Sequence, residues 1–381
     1  MNFEITEEQR FIRESVRDFA EREIKPIAKE LDEKQHFSIE LTKKIGEIGL
    51  FGMIISQEYG GQGLDYMSYI IAVEELARID GSQAATVAAH NSLGVNPLYY
   101  FGNEEQKKKY IPKLCTGEGL WGFGLTEPDA GSDSRASKTT AKLNDKQWTI
   151  NGSKIFITNA SSEISLGSTI QAVSGDKDGK KEFSAIIVEQ GTPGYTPKTM
   201  HDKLMWRASN TAELYLDDCV VPEENLLGER GDGSKIMLNT LDHGRLSIAA
   251  MGLGCAQGAY ELALQYSQER VQFGKPICKI QVIAFKLADM ALKIELARNL
   301  LYKACWLKDN GKPFAKEAAM SKLYCSEVAR EVANEAVQIH GGYGLMKDYD
   351  VERFFRDQRL LQIGEGTSEI QRLVISRYIG C

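Results

Sequence analysis

Near the C-terminus a single glutamate stands between two glycines, in the segment Gly364-Glu365-Gly366. It follows an apolar run and precedes a final helix-like stretch. Glycine on either side lets the backbone approach a ligand closely and clears space around the carboxylate. A carboxylate in a dry pocket has a raised pKa and can act as a general base. The alternative is a solvated surface residue, which is what most glutamates are.

Two further segments have the composition of ligand-contacting loops. Residues 125–133, LTEPDAGSD, are rich in hydroxyls, small residues and backbone donors, as in a loop that contacts an anion or a cofactor. Composition alone favours an ordinary turn there. Residues 269–275, ERVQFGK, together with Gln281 place an arginine, an aromatic ring and amides between two helix-like stretches. They could hold a nucleotide, and a helix–helix turn with a solvated arginine is the simpler alternative.

The common nucleotide-binding and metal-binding motifs are missing from the sequence. A dinucleotide site of the Rossmann type needs G-x-G-x-x-G between a strand and a helix. The nearest candidate, residues 252–258, has a last spacer that is one residue too long and lies inside a helical pattern. Its glycines therefore predict close helix packing. There is no P-loop, and the five histidines show no metal-ligand spacing, so we expect no metal site.

The residues around these segments predict a helical, β, helical order. We assign residues 1–118 to an N-terminal helical domain, 119–228 to a middle β domain and 229–381 to a C-terminal helical domain. Thr6 with Gln9 and Asn103 with Gln106 have the form of capping boxes. Two long amphipathic stretches, residues 280–307 and 316–340, predict a helical bundle. Between two strand-like runs, Asn151-Gly152 predicts a hairpin turn.

Composition excludes several classes of protein. With 46 basic and 53 acidic residues, the net charge of −7 argues against a nucleic-acid binder, because phosphate recognition favours a basic surface. The seven cysteines are odd in number and form no C-x-x-C pair, which predicts reduced thiols. No apolar run approaches the roughly 18 residues of a membrane span, and the first ten residues lack a presequence pattern. We therefore expect no membrane insertion and a cytoplasmic location.

The three segments, in this order and spacing, resemble the acyl-CoA dehydrogenase family. Residues 125–133 and 362–372, QIGEGTSEIQR, resemble its two signatures, and residues 206–214, 269–274 and 338–344 match further patterns. The resemblance covers essentially the whole chain. It implies an α+β, mainly α fold, with an N-terminal helical domain, a β-barrel-like middle domain and a C-terminal four-helix bundle.

The resemblance also implies a FAD-dependent enzyme that oxidises an acyl-CoA thioester to the 2,3-enoyl-CoA. Glu365 matches the base that takes the α proton while a hydride leaves the β carbon for flavin N5. Some members carry the base on a helix just before an arginine, and here Gly244 stands at that position, so Glu365 is the only matched candidate. The implied substrate-binding residues are Ser132, Asp242, Arg245, Gly364 and Gly366.

A longer set of residues matches the family's FAD contacts. These are Phe123, Leu125, Thr126, Gly131, Ser132, Phe156, Thr158, Arg270, Gln272, Phe273, Gln281, Gln338, Gly342, Thr367 and Glu369. Phe123 and Phe156 often correspond to Tyr and Trp, and Glu369 commonly to Gln. The group around Arg270 matches residues that reach the adenine half of FAD across a subunit boundary, which implies a homotetramer. The implied electron acceptor is an electron-transfer flavoprotein.

Gly364, the residue before Glu365, is the basis for predicting which acyl groups the site accepts. Many straight-chain members have Tyr immediately before the base, and its absence predicts room for branched or alicyclic acyl groups as well as short straight chains. On the same fold, an acyl-CoA oxidase or an enoyl-CoA reductase is an alternative. From other classes, the alternatives are a non-catalytic acyl-CoA-binding or FAD-binding protein and a helical scaffold without a cofactor.

Overall fold

The computed structural model describes residues 4–381, apart from the side chain of Lys177. Residues 1–3, which belong to the predicted N-terminal helical domain, lie outside the described residues. The elements follow a helical, β, helical order, which confirms the prediction from periodicity.

Five of the seven N-terminal α-helices that the structure describes begin at a residue whose side chain caps the first turn. The seven are α1 (Glu7–Phe19), α2 (Lys25–Lys34), α3 (Ile39–Glu47), α4 (Tyr66–Ala77), α5 (Gly81–Ala89), α6 (Asn96–Phe101) and α7 (Glu104–Cys115), and α2 and α6 are the two without such a cap. Both predicted capping boxes are present, Thr6 with Gln9 at α1 and Asn103 with Gln106 at α7. In each box the two residues exchange side-chain-to-backbone hydrogen bonds, which satisfy N–H groups that have no acceptor within the helix.

The middle of the chain forms a mixed sheet. Its strands are β1 (Leu120–Gly124), β2 (Thr140–Asn144), β3 (Gln147–Thr158), β4 (Ser165–Lys177), β5 (Lys180–Glu189), β6 (Tyr195–Thr199), β7 (Thr211–Pro222) and β8 (Leu226–Leu227). Their order is β6-β7-β3-β2-β4-β5-β8, and β1 pairs in parallel with β4. Trp148 and Ile150 belong to an apolar core of the sheet itself. Trp121 and Ile187 belong to a second core shared with N-terminal helices.

The predicted hairpin turn at Asn151-Gly152 is wrong, because β3 runs straight through these residues. The turn between β2 and β3 is formed by Asp145 and Lys146, which have positive φ values of 46° and 62°. At Gly152 the register with β7 shifts. A Cβ on Gly152 would lie 2.5 Å from Thr139 Oγ1, so the glycine permits a close strand contact at a bulge.

The C-terminal part is again helical. It contains α8 (Gly233–Glu269), the short strands β9 (Val271–Gln272) and β10 (Lys275–Pro276), α9 (Gln281–Asp309), α10 (Ala315–His340), α11 (Val351–Asp357) and α12 (Ser368–Tyr378). The helices α8, α9 and α10 pack on one another, and α12 packs on α10. Of the helices among residues 4–381, none combines the length and the apolar character that crossing a membrane requires.

Glycines on α8 let neighbouring helices lie against its backbone. A Cβ at Gly254 would be 2.2 Å from the carbonyl oxygen of Glu74, and one at Gly258 would be 2.1 Å from the carbonyl oxygen of Arg78. Side chains at these positions would push the end of α4 away. Gly252 faces α10 in the same manner. The predicted packing role of these glycines is confirmed.

A buried carboxylate joins three parts of the chain. Asp357 at the end of α11 accepts a hydrogen bond from the backbone N–H of Trp206, at 2.9 Å. Asp80, which caps α5, lies near it, and Arg353 Nε is 3.5 Å from Asp80 Oδ2. Burial, and then the charge of Asp80, raise the pKa of Asp357 from 3.8 to about 7. The folded protein therefore holds a proton on Asp357 at pH values where the unfolded chain does not.

This proton makes stability depend on pH. Because the folded-state pKa is raised, the stabilising contribution is present at low pH and is lost as the pH rises through about 7. Asp357→Asn keeps an acceptor for the Trp206 N–H and does not titrate. We expect the thermal midpoint of this variant, relative to the parent, to rise by a few degrees from about pH 5 to about pH 8, and to change little above that. The exposed Asp217→Asn is the control, and the same offset for Asp357→Asn at every pH would contradict the assignment.

Candidate active site

Glu365 lies in a strained turn between a 3-10 segment, Gln358–Gln362, and α12. Its φ is 53° and that of Gly366 is 90°. A non-glycine residue in this region is uncommon, and such strain is often found at functional sites. Glu365 Oε2 is shut off from solvent and has no hydrogen-bond partner among the described residues. A buried carboxylate oxygen without a partner is costly to keep, which indicates a group held ready for a ligand.

The surroundings of Glu365 alter its proton affinity. Burial raises the pKa of its carboxyl from 4.5 to about 8, and the positive charges of Lys322 and then Arg245 oppose this rise. Arg245 is itself bonded to Asp242, one helical turn earlier on α8. A carboxyl with such a pKa accepts and releases protons near neutral pH, as a general base must.

The carboxylate of Glu365 lies against the backbone of α8 at Gly244, where no side chain intervenes. A Cβ at Gly244 would lie only 1.7 Å from Glu365 Oε2 and 3.0 Å from a methyl of Leu93. A side chain at position 244 and a carboxylate in this place therefore exclude each other. Gly364 is different, because a Cβ there would be 3.6 Å from Leu360, an ordinary contact. A Cβ at position 364 therefore fits without a clash.

Two residues that contact this turn were not found by sequence reasoning. Lys322 Nζ on α10 donates to the carbonyl oxygen of Gly366 at 2.6 Å. Gln371 Nε2 on α12 donates to the same oxygen at 2.8 Å and to the carbonyl oxygen of Glu365 at 3.3 Å. A signal for the lysine was available, because Lys322 shares the buried face of α10 with Ala318, Cys325 and Ala329. Lysine side chains are almost never fully buried without a partner, so a lysine on a buried helix face indicates a specific role.

A second group of predicted site residues lies on the β domain, in a loop anchored by Glu127. Glu127 is buried and pairs with Lys154 Nζ at 2.7 Å. It also accepts hydrogen bonds from the backbone N–H groups of Lys138 at 2.6 Å and Thr139 at 3.1 Å. These bonds fix residues 125–133 from the inside of the domain. The sequence motif thus contains one structural residue, Glu127, among the predicted cofactor contacts.

The outer side of this loop offers an apolar face and open space. Phe156 has a φ of 62° and is 63% exposed, which is unusual for an aromatic residue within a strand. No atom lies within 4 Å of a Cβ built on Gly131. The backbone N–H of Ile155 donates to the carbonyl oxygen of Thr126 at 2.9 Å and brings the two segments side by side. The other members of this group are Phe123 and Leu125, which are buried, Thr158, which is half-buried, and Ser132, which is exposed.

A third group lies around the β9–β10 hairpin. Phe273 at its tip is 92% exposed. The guanidinium of Arg270 lies 5.6 Å from the ring centroid of Tyr343, which places the hairpin beside Gly342. The remaining members, Gln272, Gln281 and Gln338, are exposed.

The predicted site residues therefore form three groups. The Glu365 group contains Asp242, Arg245, Gly364 and Gly366, together with Thr367, which caps α12, and Glu369 in its first turn. Within residues 4–381, no hydrogen bond or ion pair joins one of the three groups to another. Among these described residues, no three or more His, Cys, Asp or Glu side chains form a cluster suited to a metal.

Known proteins match the chain along its whole length. Family models for the acyl-CoA dehydrogenase N-terminal, middle and C-terminal domains match residues 6–118, 122–219 and 231–380. A Bacillus subtilis protein described as a probable acyl-CoA dehydrogenase is 52% identical, with 100% of both chains covered. An acryloyl-CoA reductase (NADH) of Anaerotignum propionicum is 45% identical, covering 100% of this chain and 96% of its own.

Solved structures share the fold. Butyryl-CoA dehydrogenase from Megasphaera elsdenii has a TM-score of 0.96 and 45% identity, with 100% of each chain covered. A chain from a structure of the electron transferring flavoprotein of Acidaminococcus fermentans has a TM-score of 0.97 and 45% identity, again with 100% of each chain covered. The chain therefore belongs to the acyl-CoA dehydrogenase family of FAD-dependent oxidoreductases.

Proposed function

We propose that Glu365 is the base of this acyl-CoA dehydrogenase and removes the α proton of a bound acyl-CoA thioester, giving the 2,3-enoyl-CoA. One observation carries the proposal. Glu365 Oε2 is buried without a partner, in a turn whose backbone is strained, against a helix position where only glycine fits. Such a carboxylate is costly to maintain unless it acts on a ligand.

The same turn supplies a hydrogen-bond donor for the thioester. Gln371 donates hydrogen bonds to the carbonyl oxygens of Glu365 and Gly366, and Lys322 donates one to that of Gly366. The backbone N–H of Glu365 takes part in no hydrogen bond among residues 4–381. We assign this N–H to the thioester carbonyl oxygen, where it stabilises the charge that develops as the α proton leaves.

FAD, when bound, supplies the acceptor for the β hydride. Its place is supported by the exposed ring of Phe156 and the open space at Gly131, which suit a flat aromatic ring system, and by the loop held from behind by Glu127. Thr126, Ser132 and Thr158 add hydroxyls on this side. We assign Thr367 and Glu369 to the edge of the same site.

We propose a homotetramer in which the β9–β10 hairpin completes the FAD site of another subunit. The hairpin bears Phe273, 92% exposed, and Val271, 53% exposed, and in the single chain no bond joins it to the other two groups. Arg270, Gln272 and Gln281 would hold the adenine half from there, with Gln338 and Gly342 nearby. Exposed apolar side chains on a projecting hairpin are typical of subunit contacts.

We propose that electrons pass to an electron-transfer flavoprotein. A similar chain occurs in a structure of the electron transferring flavoprotein of another organism. The similar acryloyl-CoA reductase favours one alternative, in which the physiological reaction runs toward the saturated thioester.

All seven cysteines are free thiols, which suits a reducing compartment, and we place the enzyme in the cytoplasm.

For the substrate we propose short straight-chain, branched or alicyclic acyl-CoA. The butyryl-CoA dehydrogenase that shares the fold acts on a short chain by its name. The absence of a side chain at Gly364, where a Cβ would fit without a clash, supports room for branching in the acyl group.

Replacing Glu365 tests the reaction. Glu365→Gln keeps the shape of the side chain but cannot accept the proton. We expect anaerobic flavin reduction by butyryl-CoA to slow by about 10²–10⁴-fold, with FAD content unchanged. In the parent, kcat/KM should rise with pH up to about 8, as Glu365 ionises. Equal rates in the variant and the parent would exclude Glu365 as the base, and rapid peroxide release in air would indicate an oxidase.

Gly244 tests the position of the base. Gly244→Ala places a methyl on Glu365 Oε2 and forces the carboxylate to move. We expect kcat/KM for butyryl-CoA to fall about 10²-fold, because a displacement of about 1 Å can have this effect. The thermal midpoint should hold or rise, since alanine favours helix more than glycine. Full activity would show that the carboxylate does not work from its place beside α8.

Gly364 tests the acyl specificity. Gly364→Tyr adds a ring where the backbone and its neighbours leave space. We expect the ratio of kcat/KM for isobutyryl-CoA or cyclohexanecarboxyl-CoA to that for butyryl-CoA to fall at least about 10-fold, the scale at which an apolar pocket discriminates. An unchanged ratio would refute the steric explanation.

A further inference from the structure

Lys322 is a buried cation that lacks a directly bonded carboxylate. Its side chain is 0% exposed, and it forms no salt bridge with any residue that the structure describes. The other fully buried lysine side chain, Lys154, is paired with Glu127 at 2.7 Å. The hydrogen bond of Lys322 goes instead to the neutral carbonyl oxygen of Gly366, at 2.6 Å. A buried ammonium group in this situation pays a large desolvation penalty, which a structural hydrogen bond alone does not explain.

The charged groups that act on Lys322 belong to the Glu365 turn and to the residues around it. Burial lowers the pKa of Lys322 to about 8, and the carboxylate of Glu365 is the first charge that opposes this effect. Arg245 repels Lys322, but the positive charge of Arg245 is partly compensated by its ion pair with Asp242. The titratable and charged groups that face the pair are Arg245 and Asp242 on α8, Glu369 on α12, and Tyr66 and Tyr69 on α4.

The hydrogen bond to the turn is duplicated, whereas the charge is not. Gln371 Nε2 donates to the same Gly366 oxygen at 2.8 Å, so a neutral donor already holds that carbonyl. What Lys322 adds is a positive charge, bonded to the residue that follows Glu365. A buried positive charge close to a carboxylate favours its ionised form.

We propose that Lys322 is a positioning residue for the reaction: its ammonium group, through the Gly366 carbonyl, holds the Glu365 turn and favours the ionised form of the Glu365 carboxylate. This inference rests on the proposed role of Glu365 as the base. In this role Lys322 acts through the Glu365 turn and takes no part in the bond changes itself.

Two substitutions of Lys322 separate its charge from its bulk. In the FAD-loaded enzyme, Lys322→Met removes the charge and keeps the length, and Lys322→Arg keeps the charge. The ionisation of Glu365 is followed without substrate, as the carboxylic-acid infrared band that disappears in Glu365→Gln. We expect its midpoint in Lys322→Met to rise by about 1–3 pH units, the effect of losing one nearby opposite charge, and that in Lys322→Arg to stay close to the parent.

The rate of flavin reduction by butyryl-CoA provides a second measurement. In Lys322→Met it should be lowered at least tenfold near pH 7 and should approach the parent at high pH. The matched control is Lys203→Met. Lys203 Nζ also donates to a backbone carbonyl, that of Ser209, at 2.6 Å, and burial also lowers its pKa to about 8, but it lies in the β domain. Its removal should leave the Glu365 midpoint unchanged.

The outcomes distinguish the inference from the proposed function. An unshifted infrared midpoint in Lys322→Met, or a rate loss that is equal at every pH, would overturn the role of Lys322. If Lys322→Met does not retain FAD, the same infrared titration of Glu365 in Lys322→Gln tests the role of Lys322 instead. A shifted midpoint in a parent enzyme that no acyl-CoA reduces would support the coupling of Lys322 to Glu365 and refute the dehydrogenase reaction instead.

Discussion

The contact between the Glu365 carboxylate and the unsubstituted backbone at Gly244 is the constraint on which the site depends. It requires a glycine in the middle of a long buried helix, where glycine is unfavourable for helix formation. It also requires a turn with two successive positive φ values. Both features lower local stability, and both are compensated by hydrogen bonds from α10 and α12 to the turn. The site is therefore built by the packing of α8, α10 and α12, and each helix has residues that serve this one contact.

The same helix that carries Gly244 also holds the chain together. Along α8 the glycines at 252, 254 and 258 admit other backbones to within van der Waals contact, so the N-terminal helices and the bundle share one core. The β domain joins them through the apolar core that contains Trp121 and Ile187, and through the hydrogen bond from the Trp206 N–H to Asp357. Because an interior of this kind is close-packed, a shift of α8 would move the base and the junctions at the same time.

Local features were predictable from the sequence, and features that depend on tertiary packing were not. The capping boxes and the glycine frame of Glu365 involve residues a few positions apart, so their pattern is visible in the chain. Lys322 meets Gly366 across 44 residues, and only the packing of α10 against the turn brings them together. The Asn151-Gly152 pair was misread for a related reason. Gly152 is required because Thr139 packs closely against it. The turn itself uses Asp145 and Lys146, and lysine is uncommon at positive φ.

The proposed binding of FAD to the loop that Glu127 anchors has a consequence for the stability of the enzyme. The loop that we assign to the flavin is fixed by bonds to its own domain, including two backbone N–H groups and a buried lysine. These bonds anchor the loop to the β domain. A ligand that binds only the folded chain adds to its stability in proportion to the logarithm of its concentration. We therefore expect the stability of the enzyme in a cell to follow the supply of FAD, even though the loop is bonded within its own domain.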